Sequence, residues 1–159
     1  MYSLLIIRHA KSSWDFGLED FDRSLNHRGK SDAPEMAERL KKRGVHLDVM
    51  ISSPAKRALS TATLFSKIFN DLEILTIPSL YEASAKTFEK VVTEQNDRFK
   101  QIAIFSHNPG ITDFINSLTN VRVDDLPTCA VFAVKADITS WKEFVDAKKE
   151  FWFYDFPKA

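Results

Sequence analysis

Two histidines in this chain stand where apolar runs stop. His9 closes Leu4-Leu5-Ile6-Ile7-Arg8-His9-Ala10, and His107 follows Ile102-Ala103-Ile104-Phe105-Ser106. A short, partly β-branched apolar run that ends in polar functional groups has the form of a buried parallel strand delivering them at its carboxyl end. Parallel strands bring those ends to one edge of a sheet, so the two imidazoles are expected to share a site. Two arginines join them. Arg8 precedes His9, and Arg57 falls in the first turn of a helix expected from about Pro54, at the end where the macrodipole favours acids. An anion shared with free helix amides would explain an arginine there, and so would pairing with an acidic side chain. Glu82 follows a third strand closely enough to reach over the sheet edge, and Ser12, in the loop after His9, can donate to a bound anion.

This set suits phosphoryl transfer. Guanidinium groups beside an imidazole disfavour its cation, so His9 stays neutral and nucleophilic. Arg8 and Arg57 would hold the equatorial oxygens of a phosphoryl group, a transfer catalysed mainly by positioning and charge stabilisation. His107 adds a donor. Glu82 would protonate the leaving oxygen or nitrogen and then activate water, after a first step that leaves His9 phosphorylated. Other chemistries fit less well. No H-E-x-x-H or similar pair offers short-spaced metal ligands, so no metal is expected. Glycine occurs only at 17, 29, 44 and 110, which excludes a Walker A loop and a G-x-G-x-x-G turn. A G-x-S-x-G elbow is missing. Cys129 has Lys135 six positions on rather than Arg, so a cysteine-phosphatase loop is excluded too, and this cysteine reads as a small buried hydrophobe.

The elements that must carry these groups follow from periodicity. Between His9 and the first helix runs a polar loop that includes Lys11 to Gly17 and Asp20 to Asn26, which Trp14 and Phe16 would pin. Ala33, Met36, Ala37 and Leu40 give a helical face over 29–43, stopped by Gly44. A second strand is expected over 45–52, and Ser53-Pro54 reads as a helix start, with Ser53 as the cap. Ala58, Ala62, Phe65 and Phe69 line the inward face of that helix. A third strand over 73–77, a helix over 86–99, a strand over 101–106 and a helix carrying Ile111, Phe114, Ile115 and Leu118 come next. The last third offers a strand at 130–134, a short turn or helix at 141–144 and a strand at 151–154, with their aromatics as core or edge cover.

At 159 residues the chain is expected to form a single domain, 1–159, with a core large enough to need no metal or disulfide staple. Lys plus Arg and Asp plus Glu both number 22, so there is no whole-molecule pull toward nucleic acid or an anionic membrane, and neither is expected as a partner. A lone cysteine and the absence of a long apolar run point to a soluble protein of a reducing cytoplasm.

Arg8-His9-Ala10, Ser52-Ser53-Pro54 with Arg57 and Thr61-Ala62, Tyr81-Glu82-Ala83, and Ser106-His107-Asn108-Pro109 together resemble the histidine phosphatase, or phosphoglycerate mutase-like, superfamily, in that family's order. The short chain and Asp22-Arg23-Ser24-Leu25-Asn26-His27-Arg28-Gly29 resemble its small SixA-type branch, associated with phosphohistidine on proteins. The resemblance implies a three-layer α/β/α sandwich on a mostly parallel sheet and no cofactor. It implies His9 as phosphoryl acceptor, Arg8, Arg57 and His107 as the phosphate pocket, and Glu82 as proton donor. Two positions depart from the family pattern. Ala10 stands in place of Gly, where its methyl could crowd the pocket, and Asp15 puts an anion where mutases carry Asn. Without room for capping insertions the site is expected to be shallow and open, which suits a phosphorylated protein side chain. A small phosphate ester is the alternative substrate, and a non-catalytic phosphoryl-binding adaptor the alternative of another class.

Overall fold

The computed structural model describes residues 1–14 and 17–158; Asp15 and Phe16 lie outside them. Six strands form one sheet: β1 (Tyr2–Arg8), β2 (Val49–Ser52), β3 (Ile74–Thr76), β4 (Gln101–Ser106), β5 (Val131–Ala136) and β6 (Lys149–Asp155), in the order β3-β2-β4-β1-β5-β6. β1, β2, β3 and β4 are mutually parallel, and β5 runs against both of its neighbours. Helices α1 (His27–Lys42) and α2 (Lys56–Ile68) cover one face and α3 (Ala85–Thr93) and α4 (Gly110–Asn116) the other. The fold is thus a three-layer α/β/α sandwich on a mostly parallel sheet.

Both faces being covered, the central strands carry unbroken apolar runs, Leu4 to Ile7 in β1 and Ile102 to Phe105 in β4, and alternate side chains enter different cores. Leu5 and Ile7 of β1 join the α1 and α2 core, while Leu4 and Ile6 join the α3 and α4 core. Among the described residues no helix is long and apolar enough to cross a membrane.

Several boundaries move from those periodicity suggests. β2 begins at Val49 rather than Val45, because the Val45 amide closes the end of α1 by donating to Leu40 O, with Gly44 at φ 84°. Such a left-handed residue followed by a back-bonded amide is the usual helix stop. α2 begins at Lys56, with Ala55 before it. Ser53 is therefore not its cap. Its Oγ takes the Ala55 amide at 3.2 Å and pairs with a histidine ring instead. α3 ends at Thr93, so the helix is shorter than the spacing of Phe88 to Phe99 predicts. Beyond it the Asp97 carboxylate accepts from Ser140 and the Trp141 amide, tertiary bonds that replace a helix's own.

Candidate active site

Register explains why residues nearly a hundred positions apart meet. Arg8 of β1 lies opposite Ser106 of β4, so the next residue on each strand, His9 and His107, emerges side by side, with ring centroids 5.3 Å apart. Ser52 of β2 lies opposite Phe105, which brings Ser53 and the start of α2 to the same edge. A pocket of about 910 Å³ opens there, and Arg8, His9, Ser12, Arg57, Glu82 and His107 all line it.

His9 is the floor. Only 6% of it is exposed. Its Nδ1 lies 2.7 Å from Ala10 O, and since a carbonyl only accepts, Nδ1 carries the proton and Nε2 presents its lone pair. Arg57 Nε points at that lone pair from 3.3 Å. Burial pushes the His9 pKa down to about 3, and His107, Arg8 and Arg57 add to the shift against the opposing Ala10 bond. Neighbouring cations, the reason the sequence suggests for a neutral His9, come second to burial.

His107 has Nε2 2.7 Å from Ser53 Oγ, and its Nδ1 is buried with no partner among the described residues. Its pKa is likewise lowered to about 3, first by burial and next by Arg57. Arg8 donates from Nη1 to Leu126 O at 2.8 Å and leaves a buried Nε unsatisfied. Buried polar atoms without partners are rare and costly, and here two of them belong to residues that line the same cavity as His9.

Glu82 sits exposed on the rim at φ 56°, a left-handed conformation that costs a non-glycine residue energy. The turn that holds it rests on α4 through Gly110, where a Cβ would lie 1.8 Å from Ala83 O. Ser12 lines the pocket, but its Oγ accepts from Arg23 Nη2 at 2.6 Å. Ala10 does not crowd the site. Its methyl is fully buried in the α1 and α2 core, and its amide donates to Thr61 Oγ1 at 2.9 Å. Asp15, the other departure, lies outside the described residues.

Sequence reasoning gave no site role to three residues. Asp20 occupies the pocket wall and accepts from Arg57, Arg23 and Tyr81. Tyr81 packs edge-on against His107 with centroids 5.7 Å apart. Ser53 was assigned to a helix cap. Polar residues of an irregular loop give no periodic signal, and only the contact with Arg57 singles Asp20 out. Cys129, read as a buried hydrophobe, is buried and free, and burial pushes its thiol pKa up. Its backbone amide, at φ 61°, donates to both Arg8 O and His9 O and so ties down the end of β1. Among the described residues no group of three or more His, Cys, Asp or Glu is placed to hold a metal ion.

Comparison with known proteins bears on this arrangement. The profile of the histidine phosphatase superfamily (branch 1) matches residues 4–111. An uncharacterised chloroplastic protein of Arabidopsis thaliana is 30% identical over 151 residues, which are 88% of this chain and 69% of that one. Phosphoserine phosphatase 1 of Hydrogenobacter thermophilus is 34% identical over 100 residues, 60% of this chain, and the match spans only 45% of that protein. In fold, the chain superposes on a protein histidine phosphatase SixA complexed with tungstate, with a TM-score of 0.84, 20% identity and coverage of 98% of this chain and 97% of that one.

Proposed function

Because the chain belongs to the histidine phosphatase superfamily, branch 1, and is a phosphatase by that membership, we propose that it works through a phosphorylated His9 and removes phosphate from phosphohistidine on a protein. One observation carries the reading: the unprotonated Nε2 of His9 meets Arg57 Nε, while the buried Arg8 Nε and His107 Nδ1, on residues that line the same cavity, have no partner among the described residues. A tetrahedral phosphoryl group satisfies all of them at once.

In the first step the Nε2 lone pair forms a bond to phosphorus as the bond to the leaving oxygen or nitrogen breaks. The three equatorial oxygens, over which the charge of the transition state is spread, are held by Arg8, Arg57 and His107. Glu82, in its acid form, gives its proton to the leaving atom. Its carboxylate then takes a proton from water as the water oxygen attacks phosphorus, the N–P bond breaks, and inorganic phosphate departs. Burial favours this cycle by keeping His9 uncharged and able to attack.

A protein substrate is supported by the likeness in fold to SixA. A small phosphate ester is the second reading, favoured by the relative named as a phosphoserine phosphatase. A reducing cytoplasm agrees with the free buried Cys129. The deciding measurement sets initial rates on a phosphohistidine protein beside those on a panel of small phosphate esters, with His9→Ala as control. The expected result is faster turnover of the protein and none by the variant. Vanadate binding without hydrolysis of any substrate would make the chain a phosphoryl-binding adaptor instead.

A further inference from the structure

Arg57 has five N–H donors in one plane, and their allocation is unequal. Nη1 donates to the backbone oxygen of Asp20 at 2.7 Å, and Nη2 to its carboxylate Oδ2 at 3.1 Å. Asp20 thus grips the outer end of the guanidinium by two atoms of a single residue. The side edge, formed by Nε and the second N–H of Nη2, remains, and its Nε points at the attacking nitrogen of His9 from 3.3 Å.

Asp20 is itself anchored. Tyr81 donates its hydroxyl to Oδ2 at 2.7 Å, and Arg23 Nη1 to Oδ1 at 3.2 Å. Arg23 is fixed in turn by Ser13 O and Ser12 Oγ. These bonds hold the Asp20 carboxyl pKa down at about 2, with Tyr81 the largest cause, so the grip keeps its charge throughout the neutral range. The Asp20 side chain is 45% exposed while that of Arg57 is 8% exposed, so a group at the pocket wall holds one that is buried.

We propose that Asp20 is a positioning residue for phosphoryl transfer: it holds the outer end of Arg57 so that the Nε edge meets the equatorial oxygens of a phosphoryl group on His9. The proposal rests on His9 being the phosphoryl acceptor. Without Asp20 the guanidinium keeps its charge and loses its orientation. Ground-state binding through Arg8 and His107 survives better than transition-state contact, because misplacement by an ångström costs rate before it costs affinity.

The test uses p-nitrophenyl phosphate turnover and vanadate inhibition with Asp20→Ala and Asp20→Asn. We expect kcat to fall about tenfold or more for Asp20→Ala, with KM changed by less than about threefold. Asp20→Asn, which retains one oxygen acceptor, should fall between it and the wild type. Lysine has no Nε–Nη2 edge to aim, so in an Arg57→Lys background Asp20→Ala should change kcat by less than about twofold. An equal loss in both backgrounds would overturn the proposal by making Asp20 a support of the loop alone. Tighter vanadate inhibition with a higher kcat/KM would overturn it the other way, by showing that the carboxylate competes with phosphate for Arg57. Should the wild type turn over neither the ester nor a phosphohistidine protein, the phosphoryl-acceptor reading fails first. Asp20 is then judged on vanadate affinity in the wild type, Asp20→Ala, Arg57→Lys and the double variant, where an Arg57-dependent loss supports the grip and an Arg57-independent one rejects it.

Discussion

Ser53 Oγ lies 2.7 Å from Nε2 of His107, and the same hydroxyl oxygen accepts the Ala55 amide. A hydroxyl has a single proton, so two arrangements exist. If Ser53 donates to Nε2, the proton of the neutral ring sits on Nδ1, the buried atom without a partner. If Nε2–H donates to Ser53, a lone pair on Nδ1 faces the site of an anion. Holding an anion needs the first arrangement, and Ser53, whose oxygen already accepts the Ala55 amide, is expected to select it.

Ser53→Ala should therefore release the His107 tautomer. We expect kcat to fall by about tenfold to a hundredfold, less than the roughly hundredfold to thousandfold cost of removing an oxyanion donor outright, with the melting temperature little changed. Nitrogen NMR of the labelled ring checks the cause. In the wild type Nδ1 should carry the proton, and in the variant the two tautomers should mix. A wild-type ring protonated at Nε2 would remove Ser53 from this role.

The His9–Ala10 contact fixes which nitrogen becomes phosphorylated. With Nδ1 spent on Ala10 O at 2.7 Å, the enzyme trapped during turnover should carry phosphate on Nε2. Phosphorus NMR and the hydrolysis rate of the denatured adduct distinguish the two isomers. An Nδ1 adduct would mean that the ring turns over before reaction.

Stability should depend on pH through the same rings. Both native pKa values lie near 3, against about 6.5 for an unfolded histidine. Between those limits the unfolded chain binds protons that the native protein does not, so stability is full above about pH 6.5 and is lost as pH falls toward 3. Each ring contributes a slope of about 1.4 kcal/mol per pH unit in that window. Urea unfolding at pH 7 and pH 5 should show a drop that is smaller when His9 and His107 are replaced by Asn. An unchanged drop would mean that other groups carry it.

Much of this site can be read before any coordinates. The apolar runs ending at His9 and His107 follow from strands covered on both faces, and Gly44 stops α1 where a left-handed residue is needed. What escapes is information held in cross-chain partners. Asp20 resembles any loop acid until Arg57 is seen to hold it, and Ser53-Pro54 carries the local signal of a helix cap while its hydroxyl serves His107. Phe99 falls at helical spacing yet follows a helix that ends at Thr93, because Asp97 bonds across the chain to Trp141. Periodicity reports which side of an element is buried; it carries nothing about which polar groups meet.

Gly110 depends on proximity of that kind. A methyl there would lie 1.8 Å from Ala83 O and 3.3 Å from the Phe88 ring, so Gly110→Ala must push away the turn carrying Glu82. Stability should drop by about 1–3 kcal/mol, the usual cost of overpacking. Vanadate affinity should hold, since Arg8, Arg57 and His107 stay in place, while kcat falls on alkyl esters. Equal losses in vanadate affinity and kcat would show that the damage spreads to the phosphate pocket.

Glu82 itself is tested by varying the leaving group. An alkoxide needs a proton as it departs, p-nitrophenolate departs without one, and general acid assistance is worth about a hundredfold to ten-thousandfold where it is needed. Glu82→Gln should therefore cost about a hundredfold or more in kcat on phosphoserine or another alkyl phosphate, and less than about tenfold on p-nitrophenyl phosphate. The second step, attack of water on phospho-His9, is common to every substrate, so if it limits turnover the losses converge. A burst of p-nitrophenol before the steady state exposes that case, and the burst rate then replaces kcat in the comparison. The exposed, left-handed Glu82 is expected to matter in proportion to leaving-group basicity. A uniform loss in the burst phase across both esters would assign it to holding the rim rather than to moving a proton.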